Sequence, residues 1–305
     1  MMTFFPVPYA DEVLYSVLAR YHVRSGNTSY KATMKDLFGS TSVTAVMDLP
    51  SNIQNLVNNM PLNSRYTEEY LIKSHTLFPF YSAFLPPKRA EQVFESMKGD
   101  NGGSIYGRTG IMASSIILNQ YFKFCPVCAK EDKLRYGELY WHRVHQIPGV
   151  LICPKHHVPL YDSQVPVRGY NKHEYKAAGD ENCVEPDIVI NYSDDVFEKM
   201  IRLAEDAQVL LDSDFEKRDI EWYKEQYLAK MMEMGFATSN GKVYQKDFIK
   251  EFLNYYSGEF LDMVQSRVDS DADSNWLMDV IRKKNKTAHP IRHLLLSRFL
   301  GISLS

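Results

Sequence analysis

Three cysteines and one histidine in the middle of the sequence have the spacing of a metal-binding site. Cys125 and Cys128 are separated by two residues, and so are Cys153 and His156. Zinc prefers four tetrahedral ligands that include thiolate and imidazole groups, and four protein ligands leave no open position for a substrate. The pattern therefore predicts one structural Zn²⁺ ion held by these four residues. His157 is an alternative fourth ligand, although the two-residue gap favours His156.

Two further histidines lie between the two pairs of ligands. His142 and His145 are three residues apart, so on a short helix they would share a face and could hold a second ion. The favoured alternative is that both histidines are buried against Trp141 or lie next to the zinc ligands.

Short elements must bring the two ligand pairs together. In each pair a proline, Pro126 or Pro154, follows the first ligand and favours a tight turn. The aromatic segment 121–124 predicts a strand before the first pair. A short helix is expected through Trp141 and His145, followed by a strand that leads into the second pair.

The composition is that of a globular chain. Its 305 residues are 45% hydrophobic and 13% aromatic, enough for one or two domains with a sizeable core. The fourth cysteine, Cys183, has no pairing partner in the pattern, which argues against a disulfide framework and for a reducing cytoplasm. No apolar run reaches about 18 residues, so no membrane span is expected, and the N-terminus lacks the signature of a signal peptide.

No catalytic arrangement is present in the sequence. A zinc deaminase would need an H-x-E motif ahead of its cysteines, and the H-E-x-x-H motif of metalloproteases is absent. The glycine-rich segment 102–110 lacks the G-K-[ST] ending of a phosphate-binding loop. The residues therefore predict a recognition protein and not an enzyme, with a zinc hydrolase as a distant alternative.

We predict a mainly α-helical fold with three folded parts. Residues 1–110 would form an N-terminal helical domain, 111–175 the zinc-binding unit and 196–305 a C-terminal helical domain. The acidic segment 176–195 is expected to link the last two parts. Both helical domains are expected to be helix-turn-helix-like; for the N-terminal one, a plain helical bundle without DNA contact is an equally good alternative.

Capping signals predict where several helices begin. The expected starts are Asp11 and Glu12 for the first helix, Ser51 for the third and Thr67 for the fourth, which Pro79 should end. Ser193 is expected to cap a long amphipathic helix. Pro290 is expected in the first turn of the last helix.

The clearest charge asymmetry lies near the end of the chain. The net charge is −3, so DNA binding would need a local basic patch. No acidic residue follows Asp279, and the cations beyond it are Arg282, Lys283, Lys284, Lys286, Arg292 and Arg298. These six are predicted DNA contacts: the lysines would position the protein on phosphates, and Arg292 and Arg298 would lie on the helix that reads bases. A solvated basic face is the alternative.

A proline-stiffened arm precedes the first helix. Stiff segments lose little entropy when they bind a groove, so the arm and first helix are predicted to form a partner-binding surface. The residues expected to contact the partner are Phe5, Tyr9, Tyr15 and Arg20. The alternative is that the aromatic residues of the arm cover the core.

Several segments together resemble the TniQ/TnsD family of bacterial transposon proteins. The matching segments are 5–9, 12–20, 75–81, 136–138, 141–142, 146–150 and 153–156. Segments 276–277 and 282–284 resemble the TnsD branch in particular. Long TnsD-like proteins extend well beyond 305 residues, so we expect this chain to be shortened at its C-terminus.

The resemblance implies a cytoplasmic bacterial protein that selects the insertion site of a Tn-type transposon without catalysing a reaction. TnsD-like proteins bind a double-stranded DNA attachment site and recruit TnsC, an AAA+ ATPase that engages the transposase; host factors are further expected partners. Other TniQ proteins instead connect TnsC to an RNA-guided CRISPR complex, which is the alternative here. The resemblance also implies that Cys125, Cys128, Cys153 and His156 hold the zinc.

Overall fold

A computed structural model describes residues 2–187, 190–269, 275–282 and 287–303. Helices account for most of its regular structure, as the sequence predicted. The N-terminal helices are α1 Leu14–Ser25, α2 Tyr30–Phe38, α3 Ile53–Asn59, α4 Glu68–His75, α5 Phe78–Ser82, α6 Pro87–Lys98 and α7 Ile105–Thr109. The C-terminal helices are α9 Asp194–Asp212, α10 Ile220–Glu233, α11 Gln245–Tyr256, α12 Gly258–Met263, α13 Trp276–Arg282 and α14 Pro290–Phe299.

The central part combines two strands with one helix. Strand β1, Tyr121–Phe124, pairs antiparallel with β2, Tyr161–Pro166, and helix α8, Pro126–Tyr136, follows β1 directly. The helix expected through Trp141 and His145 is only a 3₁₀ turn, Val144–Gln146. The strand expected before Cys153 is a single bridge from Ile152 to Pro159, because the chain turns back at once through the second ligand pair.

The first helix begins later than predicted. Asp11 has a φ of +56°, which ends any helical path before it, and α1 starts at Leu14. Glu12 lies before the helix, and its side chain is fully buried and paired with Arg20. The helix ends where expected, at Gly26 with a φ of +71°, because glycine adopts the left-handed conformation at no steric cost.

Two of the expected boundaries in the N-terminal part were wrong. Asn52, not Ser51, is the residue before α3, and its backbone is left-handed. Helix α4 starts at the Thr67 cap as predicted but ends at His75, before Pro79 is reached. Pro79 instead lies in the first turn of α5, where a missing N–H costs nothing.

Helix α9 connects the C-terminal part to the rest of the molecule. Its N-cap is Ser193, whose hydroxyl accepts a hydrogen bond from the Val196 N–H at 3.4 Å. Its buried stripe packs against α5 and α14. None of the described helices is long and apolar enough to span a membrane.

The segment predicted as an acidic linker lies against the zinc-binding unit where it is described. The Lys176 carbonyl accepts a hydrogen bond from the Trp141 indole at 2.9 Å, and the Asn182 carbonyl accepts one from Gln164 N at 2.9 Å. Cys183 is half-buried against the core. The domain boundaries and the helix-turn-helix-like arrangement stay predictions.

Candidate metal centre and interaction surfaces

Four side chains converge in the way that a tetrahedral metal site requires. The Cys128 sulfur lies 3.7 Å from the Cys153 sulfur and 3.3 Å from Nδ1 of His156. The same nitrogen is 3.6 Å from the Cys125 sulfur and 3.8 Å from that of Cys153. With zinc–sulfur bonds of about 2.3 Å, ligand atoms at the corners of a tetrahedron lie about 3.8 Å apart. The spacing of the donors therefore fits one ion at their centre.

Local structure places the first pair of ligands. Cys125 is the N-cap of α8, and its sulfur accepts a hydrogen bond from the Cys128 N–H at 3.4 Å. Pro126 occupies the first turn, where its fixed φ suits the helix. The cap and the first helical turn thus direct both sulfurs to the same side.

A tight turn places the second pair. The His157 N–H donates to the Cys153 carbonyl at 2.9 Å, and the Cys153 N–H donates to the Val158 carbonyl at 2.8 Å. His157 closes this turn with a φ of +51°. Its side chain is half-exposed and faces Glu205 at 3.5 Å, so His156 and not His157 lies beside the sulfurs.

The cluster is buried, which constrains its charge. Cys125, Cys128 and Cys153 are 0%, 4% and 1% exposed. The hydrogen bonds with the two neighbouring sulfurs, followed by burial, raise the pKa of Cys128 far above that of a free thiol. All three cysteines could therefore be thiolates together only with a cation among them. The outer nitrogen of His156 lies 3.2 Å from a carboxylate oxygen of Glu131, the usual partner for a metal-ligating imidazole.

The two additional histidines have different surroundings. Nε2 of His142 lies 2.9 Å from Asp132, and its Nδ1 lies 3.7 Å from Asp11. Burial opposes the protonated form, but the neighbouring carboxylates of Asp11 and Asp132 raise the pKa of His142 to about 9. A protonated imidazole cannot ligate a metal. His145 is 1% exposed, and its Nε2 lies 3.9 Å from the Cys128 sulfur.

The structure places the predicted partner-binding residues mostly inside the molecule. Tyr15 and Arg20 are 4% and 2% exposed. Phe5 packs against Tyr66, with ring centroids 5.7 Å apart, and Tyr9 stacks on Tyr136 at 4.0 Å. The arm therefore lies folded against its own chain, and its role in partner binding stays a prediction.

The predicted DNA-binding residues are spread over different surroundings. Arg282 is exposed at the end of α13, whereas Lys283, Lys284 and Lys286 lie outside the described residues. The guanidinium of half-buried Arg292 lies 5.2 Å from the Trp276 ring centroid and donates a hydrogen bond to Ser115. Burial lowers the pKa of Arg292 to about 10.

Arg298 has an ionic partner. It forms an ion pair with Asp206 on α9, in which its Nε lies 3.0 Å from a carboxylate oxygen. Neither Arg292 nor Arg298 is therefore a free cation in this structure, and base reading by either of them stays a prediction.

Two ionic groups, each built on a buried arginine, were not predicted. Glu12 pairs with Arg20, and Arg143 joins Asp11 to Asp212 at 3.2 and 3.1 Å. The first pair had no sequence signal, because Glu12 lies outside α1 and reaches Arg20 only through the fold of the arm. The second joins residues that are distant in the sequence, so spacing carries no signal for it.

The fold and the four converging side chains define a mainly helical protein with a candidate four-ligand metal centre. The sequence model of the TniQ family matches residues 3–160, and that of the Tn7-like transposition protein D family matches residues 203–305. The chain belongs to the TniQ/TnsD family. It is similar to the transposon Tn7 transposition protein TnsD of Escherichia coli, with 28% identity over 294 residues. The match covers 95% of this chain and 56% of that relative, so the chain spans little more than half of the relative's length.

Proposed function

We propose that this protein selects target sites for a Tn7-like transposon by binding attachment-site DNA and recruiting a TnsC-like AAA+ ATPase. The observation that carries the proposal is the order of the two family matches on one chain: TniQ at residues 3–160 and Tn7-like transposition protein D at 203–305. The likeness to TnsD runs across both parts. The proposed role requires no catalytic residue.

The metal centre would have a structural role in this function. Cys125, Cys128, Cys153 and His156 fit zinc, because a set of three thiolates and one imidazole is typical of closed zinc sites. The bound ion would hold the start of α8 against the turn that contains Cys153 and His156. The same unit contacts the N-terminal arm through Glu138, which accepts a hydrogen bond from the Tyr9 hydroxyl at 2.8 Å.

The proposed DNA surface is centred on the end of α13. Arg282 is exposed there, and Lys283, Lys284 and Lys286 follow it in the sequence. Phosphate contacts by such residues give affinity without sequence information. Since Arg292 and Arg298 are held by Ser115 and Asp206, sequence reading would require either their release or another surface.

A second candidate function is an adaptor that links TnsC to an RNA-guided complex and reads no DNA sequence itself. This alternative is favoured by the engagement of Arg292 and Arg298 within the protein and by the net charge of −3. Both functions share the ATPase partner, so they differ only in what determines the target.

The two candidates can be separated by one selection experiment. The purified zinc-loaded chain would be mixed with sheared bacterial chromosomal DNA, with and without a TnsC-like ATPase and ATP, and bound fragments would be sequenced after several rounds. A selector should enrich one sequence, with further enrichment when the ATPase is present. An adaptor should co-elute with the ATPase and enrich no sequence. Absence of both sequence enrichment and ATPase binding would contradict the proposed function.

A further inference from the structure

His145 is a buried histidine beside the candidate metal centre. It is not one of the four candidate ligands. It lies in the 3₁₀ turn Val144–Gln146 and is 1% exposed. Its Nε2 lies 3.9 Å from the Cys128 sulfur, which in turn lies 3.7 Å from the Cys153 sulfur. Its other ring nitrogen, Nδ1, is buried without a hydrogen-bond partner in the described part of the chain.

The different surroundings of the two ring nitrogens indicate which of them carries the hydrogen of the neutral imidazole. A neutral imidazole carries one N–H and one lone pair. Placed on Nδ1, the N–H would be buried without an acceptor, whereas on Nε2 it faces the Cys128 sulfur. Thiolates accept hydrogen bonds more strongly than thiols because they are charged. The Nε2 tautomer is therefore the one that the surroundings favour.

We propose that His145 is a positioning residue that donates its Nε2–H to the sulfur of Cys128. The hydrogen bond would stabilise the Cys128 thiolate against protonation and hold its orientation, so that the metal is bound more tightly. By withdrawing electron density it would also make the sulfur react more slowly with electrophiles. The inference rests on the proposed metal centre but not on the choice between selector and adaptor.

A second metal ion beside Cys128 is the main competing explanation. Cys128, His142 and His145 lie close enough to share an ion. However, Nε2 of His142 is 2.9 Å from Asp132, and its Nδ1 faces Asp11. Both of its nitrogens thus face carboxylates, which leaves the Cys128 sulfur and His145 as too few ligands for an ion.

The test compares variants that keep or remove the donor. His145→Phe keeps a ring without an N–H, and His145→Gln keeps a donor. Zinc affinity would be measured by competition with a chromophoric chelator, and thiolate reactivity by the rate of zinc release with N-ethylmaleimide. We expect His145→Phe to bind zinc about 10–100-fold more weakly, the range for outer-shell partners of metal ligands, and to release it faster. His145→Gln should stay closer to the unsubstituted protein in both measurements.

Each other outcome has a distinct meaning. Unsubstituted protein that binds no zinc would contradict the metal centre itself. Zinc binding with equal affinity and release rate in all three proteins would overturn the role of His145 and leave the centre intact. Cobalt substitution tests whether His145 is itself the fourth ligand. If the cobalt-substituted His145→Phe protein loses the absorption spectrum of a tetrahedral site while His156→Ala keeps it, His145 is a ligand and the proposal is wrong.

A measurement on the unsubstituted protein avoids any folding defect of the variants. Nitrogen chemical shifts of ¹⁵N-histidine report which ring nitrogen carries the proton. In the zinc-loaded protein we expect His145 to be protonated on Nε2. Protonation on Nδ1 alone would overturn the proposal even if every variant failed to fold.

Discussion

Arg20 and Glu12 form a two-point ion pair inside the protein. Arg20 Nε lies 2.9 Å from Oε1 of Glu12, and Nη2 lies 2.6 Å from Oε2. The same guanidinium donates to the Val7 carbonyl at 2.8 Å and lies 4.0 Å from the centroid of the Tyr9 ring. One charged group therefore joins the N-terminal arm to α1.

Replacing Arg20 by alanine should destabilise the whole N-terminal part. The change leaves the fully buried Glu12 carboxylate without its partner, and breaking one side of a buried ion pair costs about 3–5 kcal/mol. The free energy of unfolding from urea denaturation would measure the effect. Arg24→Ala is the matched control, because Arg20 and Arg24 both pair with Glu138 but the Arg24 side chain is 44% exposed. We expect a change below about 0.5 kcal/mol there, and an equally small change for Arg20→Ala would contradict the importance of the pair.

Replacing a metal ligand should remove the ion and most of the structure around it. Structural zinc contributes roughly 10–16 kcal/mol of apparent binding energy in small zinc fingers, so Cys125→Ser should give a metal-free, poorly soluble or molten protein. Metal analysis and thermal melting would measure this. Cys183→Ser and His157→Ala are controls that should keep one zinc per chain, because neither side chain faces the cluster. Unchanged zinc content in Cys125→Ser would rule out the proposed ligand set.

The buried histidines should make stability depend on pH. Burial lowers the pKa of His293 to about 3, below the value of about 6.5 in the unfolded chain. Between these values only the unfolded state binds the proton, so stability falls as the pH is lowered through this window. In this window each such histidine changes the free energy of unfolding by about 1.4 kcal/mol per pH unit. His293→Asn should therefore reduce the slope by about that amount between pH 6 and pH 4.5.

A matched control for His293 is its hydrogen-bond partner. The Tyr227 hydroxyl lies 2.9 Å from Nδ1 of His293. Tyr227→Phe should lower stability at every pH but leave the slope of the unsubstituted protein, because the imidazole remains buried. Urea denaturation at four pH values would show whether a variant lowers the free energy of unfolding equally at every pH or changes how steeply it varies with pH. Equal slopes in His293→Asn and the unsubstituted protein would show that His293 is not neutral in the folded state.

The arm can be tested for partner binding without damaging the fold. Phe4 stacks on Tyr21 at 5.0 Å and Tyr9 stacks on Tyr136, so deleting residues 1–9 should cost about 3–5 kcal/mol, the range for lost buried aromatic side chains. Val7 is 66% exposed, so Val7→Glu should change stability by less than about 0.5 kcal/mol. If the arm binds the ATPase, Val7→Glu should weaken that complex in a pull-down. Unimpaired ATPase binding by Val7→Glu would favour a purely structural role of the arm.

Sequence reasoning succeeded where the information was local. The two-residue gaps in the ligand pairs led to the residues that converge in the structure, and the caps at Thr67 and Ser193 follow from side chains that bond three residues ahead. The mainly helical fold followed from apolar periodicity. These features depend on neighbours within one or two turns.

Sequence reasoning failed where tertiary contacts decide the structure. Glu12 was expected to begin a helix but is buried against Arg20 because the arm folds back over α1. The spacing of residues also gave no sign that α14 packs with the Arg292 guanidinium facing Trp276. The position of His145 beside the Cys128 sulfur depends on a 3₁₀ turn that packs against β1 and α9. None of these contacts is visible from the spacing of residues.

The final prediction concerns the basic segment after α13. Replacing Lys283 and Lys284 together should weaken DNA binding to a similar extent for all sequences, because phosphate contacts are not sequence-specific. Each lost contact reduces the slope of log affinity against log salt by about 0.9, so the double variant should lose one to two units. Arg292→Gln is the comparison. Its guanidinium is half-buried, so the structure predicts lower thermal stability with unchanged DNA sequence preference, whereas base reading predicts an altered preference. If the double lysine variant kept its affinity and salt slope, the DNA surface would lie elsewhere in the protein.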